Sequence, residues 1–273
     1  MHQPVVSRAA RRQPFAIRDA ARPRQIGTRP AFPMPGWCAI NGRTNGPRVR
    51  GKVDCALPGP EWMNAEGTIM TTRLHRGDLP DLSRYGREVA IDTETMGLDP
   101  RRDRLCVVQL SPGDGSADVV QIPQDATAAP NLVKLLTDPA VTKIFHYARF
   151  DMAVLKHRFG IVTGPVYCTK IASRLVRTYT DRHGLKDLAR ELLNIDMSKQ
   201  QQSSDWGADK ISDAQLEYAA SDVLYLHDIK RHLDRMLRRE GRLELAETCF
   251  RFLPTRIELD LLGWDEEDIF AHS

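Results

Sequence analysis

The sequence predicts an α/β domain in which one mixed sheet is flanked by helices. Three observations lead there: strand-length apolar runs around a glycine turn, a later alternation of helix and strand, and a C-terminal part in helical period. Residues 88–93 and 105–110 read as strands. Residues 118–122 form a third, with Gly113-Asp114-Gly115 as the hairpin turn before it. A short helix over 130–137 is stopped by Asp138-Pro139, and 141–145 is a fourth strand. Helices follow at 148–159, ended by Gly160, then at 167–177 and 184–193. Ser198 to Gly207 is a polar loop. A long amphipathic helix runs over 212–239 to Gly241, a short one over 242–252, and an acidic tail ends the chain.

The chain has 273 residues, enough to bury a sizeable core, with 41% hydrophobic and 27% charged residues, as expected for one globular domain plus extensions. No apolar run approaches the roughly 18 residues that span a bilayer, so no membrane partner is expected. Cysteines 38, 55, 106, 168 and 249 form no CxxC pair. An odd, scattered set points to a reducing compartment, and the expected location is cytoplasmic.

The net charge of +3 hides an asymmetry. Residues 1–69 hold eleven Lys+Arg against four Asp+Glu, whereas the remainder holds 28 against 32. The first segment also has nine of the seventeen prolines and no acidic residue between 20 and 53. Disorder is expected there. Three explanations compete for it: a basic arm for nucleic acid, an Arg-rich transit peptide, or upstream sequence preceding a true start at Met70. The expected division is an extension over 1–69 and a domain over 70–273.

Chemistry concentrates at five residues. In Val89-Ala90-Ile91-Asp92-Thr93-Glu94-Thr95 the carboxylates of Asp92 and Glu94 fall on one side of a strand, because side chains alternate with period two. Tyr218 and Asp222 are i and i+4 on a helix, one above the other. Asp151 opens the helix after the fourth strand. Clustered carboxylates are costly to bury unless paired or metal-bound, and hard oxygen ligands in this number suit Mg²⁺ or Mn²⁺.

With those residues in hand, the chain resembles the DEDD family of 3′→5′ exonucleases. Asp92-Thr93-Glu94-Thr95-Met96-Gly97-Leu98, His146-Tyr147-Ala148-Arg149-Phe150-Asp151 and Tyr218-Ala219-Ala220-Ser221-Asp222 are similar to its three motifs. Tyrosine four residues before the last aspartate marks the tyrosine branch. The resemblance runs over about 74–273 and implies a ribonuclease H-like (DnaQ-like) fold, a single domain with a mixed five-stranded sheet. Within the branch the chain is similar to ribonuclease D, yet has no room after 240 for further RNA-binding domains. It thus resembles the stand-alone diribonucleases of the nano-ribonuclease C type.

The resemblance implies catalysis by Asp92, Glu94, Asp151, Tyr218 and Asp222. Asp92 would bridge two divalent cations, Glu94 and Asp222 complete one, and Asp151 hold the other. It also implies a ring-like homo-oligomer, an octamer, and 5′-nucleoside monophosphate products from very short RNA, including dinucleotides. The alternatives are ribonuclease D-like trimming of structured RNA 3′ ends or of DNA, and a catalytically idle RNA-binding module. Leu98 is a candidate wedge against a base, weighed against a core leucine. His146 and Tyr147 could meet a nucleotide or be structural. Arg149, Arg174, Arg177, Arg182, His183 and Lys186 are candidates for phosphate contacts, weighed against a solvated face. Trp206 is expected to anchor its loop rather than to stack on a base.

Overall fold

The computed structural model describes residues 70–126, 128–198, 200, 201 and 203–272, together with the backbone of 58–63 and 69. They belong to one unit, 53–273. Seven strands form one sheet in the order β1-β2-β5-β4-β3-β6-β7. The strands are β1 (Pro58–Met63), β2 (Ile69–Arg76), β3 (Glu88–Thr95), β4 (Leu105–Ser111), β5 (Ser116–Gln121), β6 (Thr142–Phe145) and β7 (Val166–Cys168). Strands β3, β4 and β5 form the expected antiparallel meander. β6 joins β3, and β7 joins β6, in parallel. Every residue of β4 and β5 is buried, including the polar Gln109, Ser111, Ser116, Asp118 and Gln121.

The sheet exceeds the expected five strands at both edges. β7 has three residues, too few for a period to register, and its last two fall at the start of the helix expected over 167–177. β1 contains Pro58 and Pro60, which argue against a central strand but are tolerated at an edge. It lies inside the segment expected to be disordered, as does Ile69 at the start of β2, so this end of 1–69 is sheet. The rest of that segment, 1–57 and 64–68, lies outside the described residues.

The helices are α1 (Pro130–Thr137), α2 (Ala148–Phe159), α3 (Thr169–Val176), α4 (Leu185–Leu188) running into a π-turn over Ala189–Leu193, α5 (Asp213–Leu224), α6 (Leu226–Arg239) and α7 (Leu243–Leu261). The single helix expected over 212–239 is two, divided at Tyr225. α5 packs on β3, β4 and β5, whereas α6 packs on α3, β6 and the π-turn, so the chain must change direction between them. α7 also differs from expectation, running nineteen residues through Pro254. Phe250, Leu253 and Ile257 are buried on both sides of that proline, and this packing carries the helix past the lost hydrogen bond. Among the described residues, no helix is long and apolar enough to cross a membrane.

Candidate active site

Strand β3 enters the core through Val89, Ala90 and Ile91 and then lifts Asp92 and Glu94 into an open cavity. Helix α5 brings Tyr218 and Asp222 to the same cavity. Its start is fixed by a capping box: Gln215 N donates to Ser212 Oγ at 3.3 Å, and Ser212 N to Gln215 Oε1 at 3.0 Å. One oxygen from each of Asp92, Glu94 and Asp222 lies within 4.8 Å of the others, close enough to share a cation. Asp151, one turn into α2, lies outside this group of three, buried beneath the site. Thr93 Oγ1 donates to its Oδ1 at 2.7 Å. Gln109, directly across the strand pair from Asp92, donates Nε2–H to Asp92 Oδ2 at 3.3 Å.

The electrostatics are those of an unneutralised anion cluster. Poor hydration, reinforced by Asp151, Asp222 and Glu94, holds Asp92 well above the usual carboxylate range. Burial and the charges of Asp222 and Asp151 push Glu94 up to about 9. Burial pushes Asp151 and Asp222 up to about 7, against hydrogen bonds from Thr93 and Tyr218 that lower them. The Tyr218 phenol is raised above its usual 10 by burial and by these carboxylates. Among the described residues, none of the four carboxylates has a Lys or Arg ion pair. An oxygen-only cluster with raised proton affinity and no protein cation is what a site for hard divalent ions requires, so the residues fit that group.

Of the residues expected to meet substrate, Leu98, His146 and Tyr147 line the cavity. Leu98 is 86% exposed, which removes the core-leucine alternative. The His146 imidazole is held neutral by burial and by Lys170, its pKa lowered to about 3, and Nδ1 meets Thr169 Oγ1 at 2.9 Å. Tyr147 has a left-handed backbone, φ 72°, uncommon for a residue with a side chain, and Lys170 Nζ sits 4.2 Å from its ring centroid.

Arg149, Arg182 and His183 do not line the cavity. Arg149 is committed to α7: Nε donates to Asp260 Oδ2 at 2.5 Å, and Nη2 to Asp260 Oδ1 and the Asp265 carbonyl, each at 2.7 Å. His183 is bonded through Nδ1 to Ser173 Oγ at 2.8 Å, and Arg182 is exposed. Arg177 is fully buried against Glu191, Ser173 and the Arg182 carbonyl, so it braces the loop instead of meeting phosphate. Lys186 does line the cavity.

Lys170, Thr93 and Gln109 were missed by sequence reasoning. A glutamine inside the apolar run Cys106-Val107-Val108-Gln109-Leu110 was a legible signal for a buried polar partner. Nothing local marked the other two.

A mixed sheet carrying four gathered carboxylates and a tyrosine defines the class of metal-dependent hydrolases. Residues 78–238 match the family model described as 3′-5′ exonuclease, and the chain belongs to that family. Ribonuclease D of Granulibacter bethesdensis is 37% identical over 155 residues, 57% of this chain and 39% of its own length. The chain thus spans about two fifths of the curated relatives it matches. NrnC of Brucella melitensis with bound Mg²⁺ superposes with TM-score 0.72 at 64% identity, over 75% of this chain and all of NrnC. The same protein bound to pGG gives 0.73 at 65%.

Proposed function

We propose that this chain is a metal-dependent 3′→5′ exoribonuclease that favours very short RNA, including dinucleotides, and releases 5′-nucleoside monophosphates. The observation that carries the reading is the gathering of Asp92, Glu94 and Asp222 within 4.8 Å, with Tyr218 in the same cavity and Asp151 beneath. Asp92, Glu94 and Asp222 would hold one divalent cation, Mg²⁺ or Mn²⁺, and Asp92 with Asp151 a second. Such ions supply Lewis-acid activation of the attacking water and offset charge on the leaving oxygen. Tyr218 hydrogen-bonds Asp222, and its raised pKa keeps the phenol protonated through the neutral range. It therefore orients the water and does not take its proton. Leu98 would wedge against a base, while His146, Tyr147, Lys170 and Lys186 face the nucleotide.

Two features favour a small substrate. The cavity volume is about 670 Å³, on the scale of ligand pockets and not of an extended track. Residues 70–273 have 28 Lys+Arg against 32 Asp+Glu, a poor balance for holding long RNA. Similarity to NrnC bound to pGG supports the same reading. We further propose that 70–273 is the exonuclease domain, that it assembles as a ring-like homo-oligomer, an octamer by family resemblance, and that it works in the cytoplasm. The described cysteines are all free thiols, in keeping with that compartment.

The test is cleavage of 5′-labelled RNA of two, three and seven nucleotides in Mg²⁺, Mn²⁺ or EDTA, beside Asp92→Asn. Metal-dependent loss of the dinucleotide well ahead of the seven-mer, abolished in the variant, is expected. Similarity to ribonuclease D keeps a second reading, and faster trimming of the seven-mer would select it. Wild-type activity in Asp92→Asn would refute the site.

A further inference from the structure

Tyr218 can orient a water only if its phenol is held in one place. A helical tyrosine has two accessible χ1 wells, and an open cavity on one side leaves the ring free to swing. The other side is closed by Trp206. The two ring centroids are 6.1 Å apart at an interplanar angle of 42°, and the indole is 3% exposed. Behind it lie Cys106, Val107, Val119, Leu216 and Ala219, a small apolar cluster separate from the main core.

The loop that carries Trp206 is fastened from three directions. Gln215 Nε2 on α5 donates to the Asp205 carbonyl at 3.1 Å. Arg104, just before β4, donates to the Gly207 carbonyl at 3.1 Å. Gln121 on β5 donates to the Ala208 carbonyl at 2.9 Å. A wall tied to two strands and to the helix bearing Tyr218 moves with the site and not with the solvent. Packing alone does not require an indole here. Its Nε1–H is buried and has no partner among the described residues, a cost that a phenyl ring would not carry. The bicycle is what reaches Tyr218.

We infer that Trp206 is a positioning residue for Tyr218, a fixed aromatic wall that keeps the phenol over the attacking water. This role rests on the exonuclease reading of the site. Because misplacement by about 1 Å can cost on the order of a hundredfold in rate, a shorter ring at 206 acts on turnover and not on substrate affinity.

The test is steady-state hydrolysis of a dinucleotide by Trp206→Phe and Trp206→Leu, each in the wild-type and Tyr218→Phe backgrounds. Trp206→Phe is expected to lower kcat about tenfold or more with KM within about twofold. In the Tyr218→Phe background the same change should cost under about threefold, because the group it positions is gone. Equal fold losses in both backgrounds would overturn the role and leave a loop anchor. A loss carried by KM would also overturn it, making the indole a base platform. Should Trp206→Leu fail to fold, Trp206→Tyr with Trp206→Phe completes the cycle. A wild-type protein inactive on every RNA length would overturn the exonuclease reading and this role together, and shows itself before any variant is assayed.

Discussion

Glu94→Gln should make the metal-free protein more stable while it abolishes turnover. In the folded chain Glu94 titrates at about 9 instead of its ordinary 4.5, because burial and the charges of Asp222 and Asp151 oppose its anion. The sign follows from linkage: a carboxyl group raised on folding is neutral at no cost below its unfolded pKa, and its destabilisation grows as pH rises toward the folded one. At pH 8, neutralising it on folding costs up to about 5 kcal/mol, at about 1.36 kcal/mol per pH unit above the unfolded value. Glu94 is partly exposed to an open cavity, and screening by solvent reduces this to about 1–3 kcal/mol. Glutamine keeps the shape and removes the charge. In EDTA at pH 8 the variant's melting temperature should rise by about 2–12 °C, at about 2–4 °C per kcal/mol for a domain of this size. At pH 5 the gain should shrink to about 1–2 °C, since the pH then lies only slightly above the ordinary value of 4.5 and neutralising the group on folding costs little. Mg²⁺ should restore the wild type's deficit and do much less for the variant. Differential scanning calorimetry across this pH and metal grid measures all three. A variant less stable than wild type in EDTA at pH 8, or a gain indifferent to pH, would refute charge repulsion as the dominant force in the site.

Two further perturbations separate bracing from chemistry. Arg149→Ala removes the fork that ties α2 to Asp260, whose side chain is only 8% exposed, and should cost about 1–3 kcal/mol in urea unfolding while KM for a dinucleotide is unchanged. Gly113→Ala forces a side chain onto a hairpin position at φ 87°, with its Cβ 3.0 Å from the His227 ring, and should lower stability by about 1–2 kcal/mol with kcat retained in the folded fraction.

The five central residues were legible because each lies in a local pattern with a fixed geometry. Alternation put Asp92 and Glu94 on one side of β3, and the i, i+4 rule put Tyr218 above Asp222. The central strands were legible from their apolar stretches, Val89-Ala90-Ile91 in β3 and Leu105-Cys106-Val107-Val108 in β4. Arg149 shows where local reading ends. An arginine two residues before Asp151 looks like a phosphate contact until Asp260, more than a hundred residues later, is found against it. Arg177 and Thr93 are of the same kind, since their partners come from packing and not from periodicity. The break at Tyr225 escaped notice because no Gly or Pro marks it, and helical period continues on either side.

The four site carboxylates also decide how a net acidic domain can take an acidic substrate. Residues 70–273 carry an excess of four acidic groups, and Asp92, Glu94, Asp151 and Asp222 equal that whole excess. Left ionised, they would repel a phosphodiester from the cavity it must enter, since walls of low dielectric focus such a field. Neutralised by divalent cations, they would leave Lys170, Lys186 and Asp187 as the charged side chains lining the cavity, a net positive balance. Metal should therefore govern binding as well as cleavage. A non-hydrolysable dinucleotide analogue should bind at least tenfold more weakly in EDTA than in Ca²⁺, by about 1.4 kcal/mol or more, and Glu94→Gln should narrow that gap by weakening the hold on the cation. Titration calorimetry in the two buffers reads both quantities. Equal affinity with and without the cation would mean that the substrate is held by the lysines, Leu98, His146 and Tyr147 alone, and that the acidic cluster acts only on the chemical step.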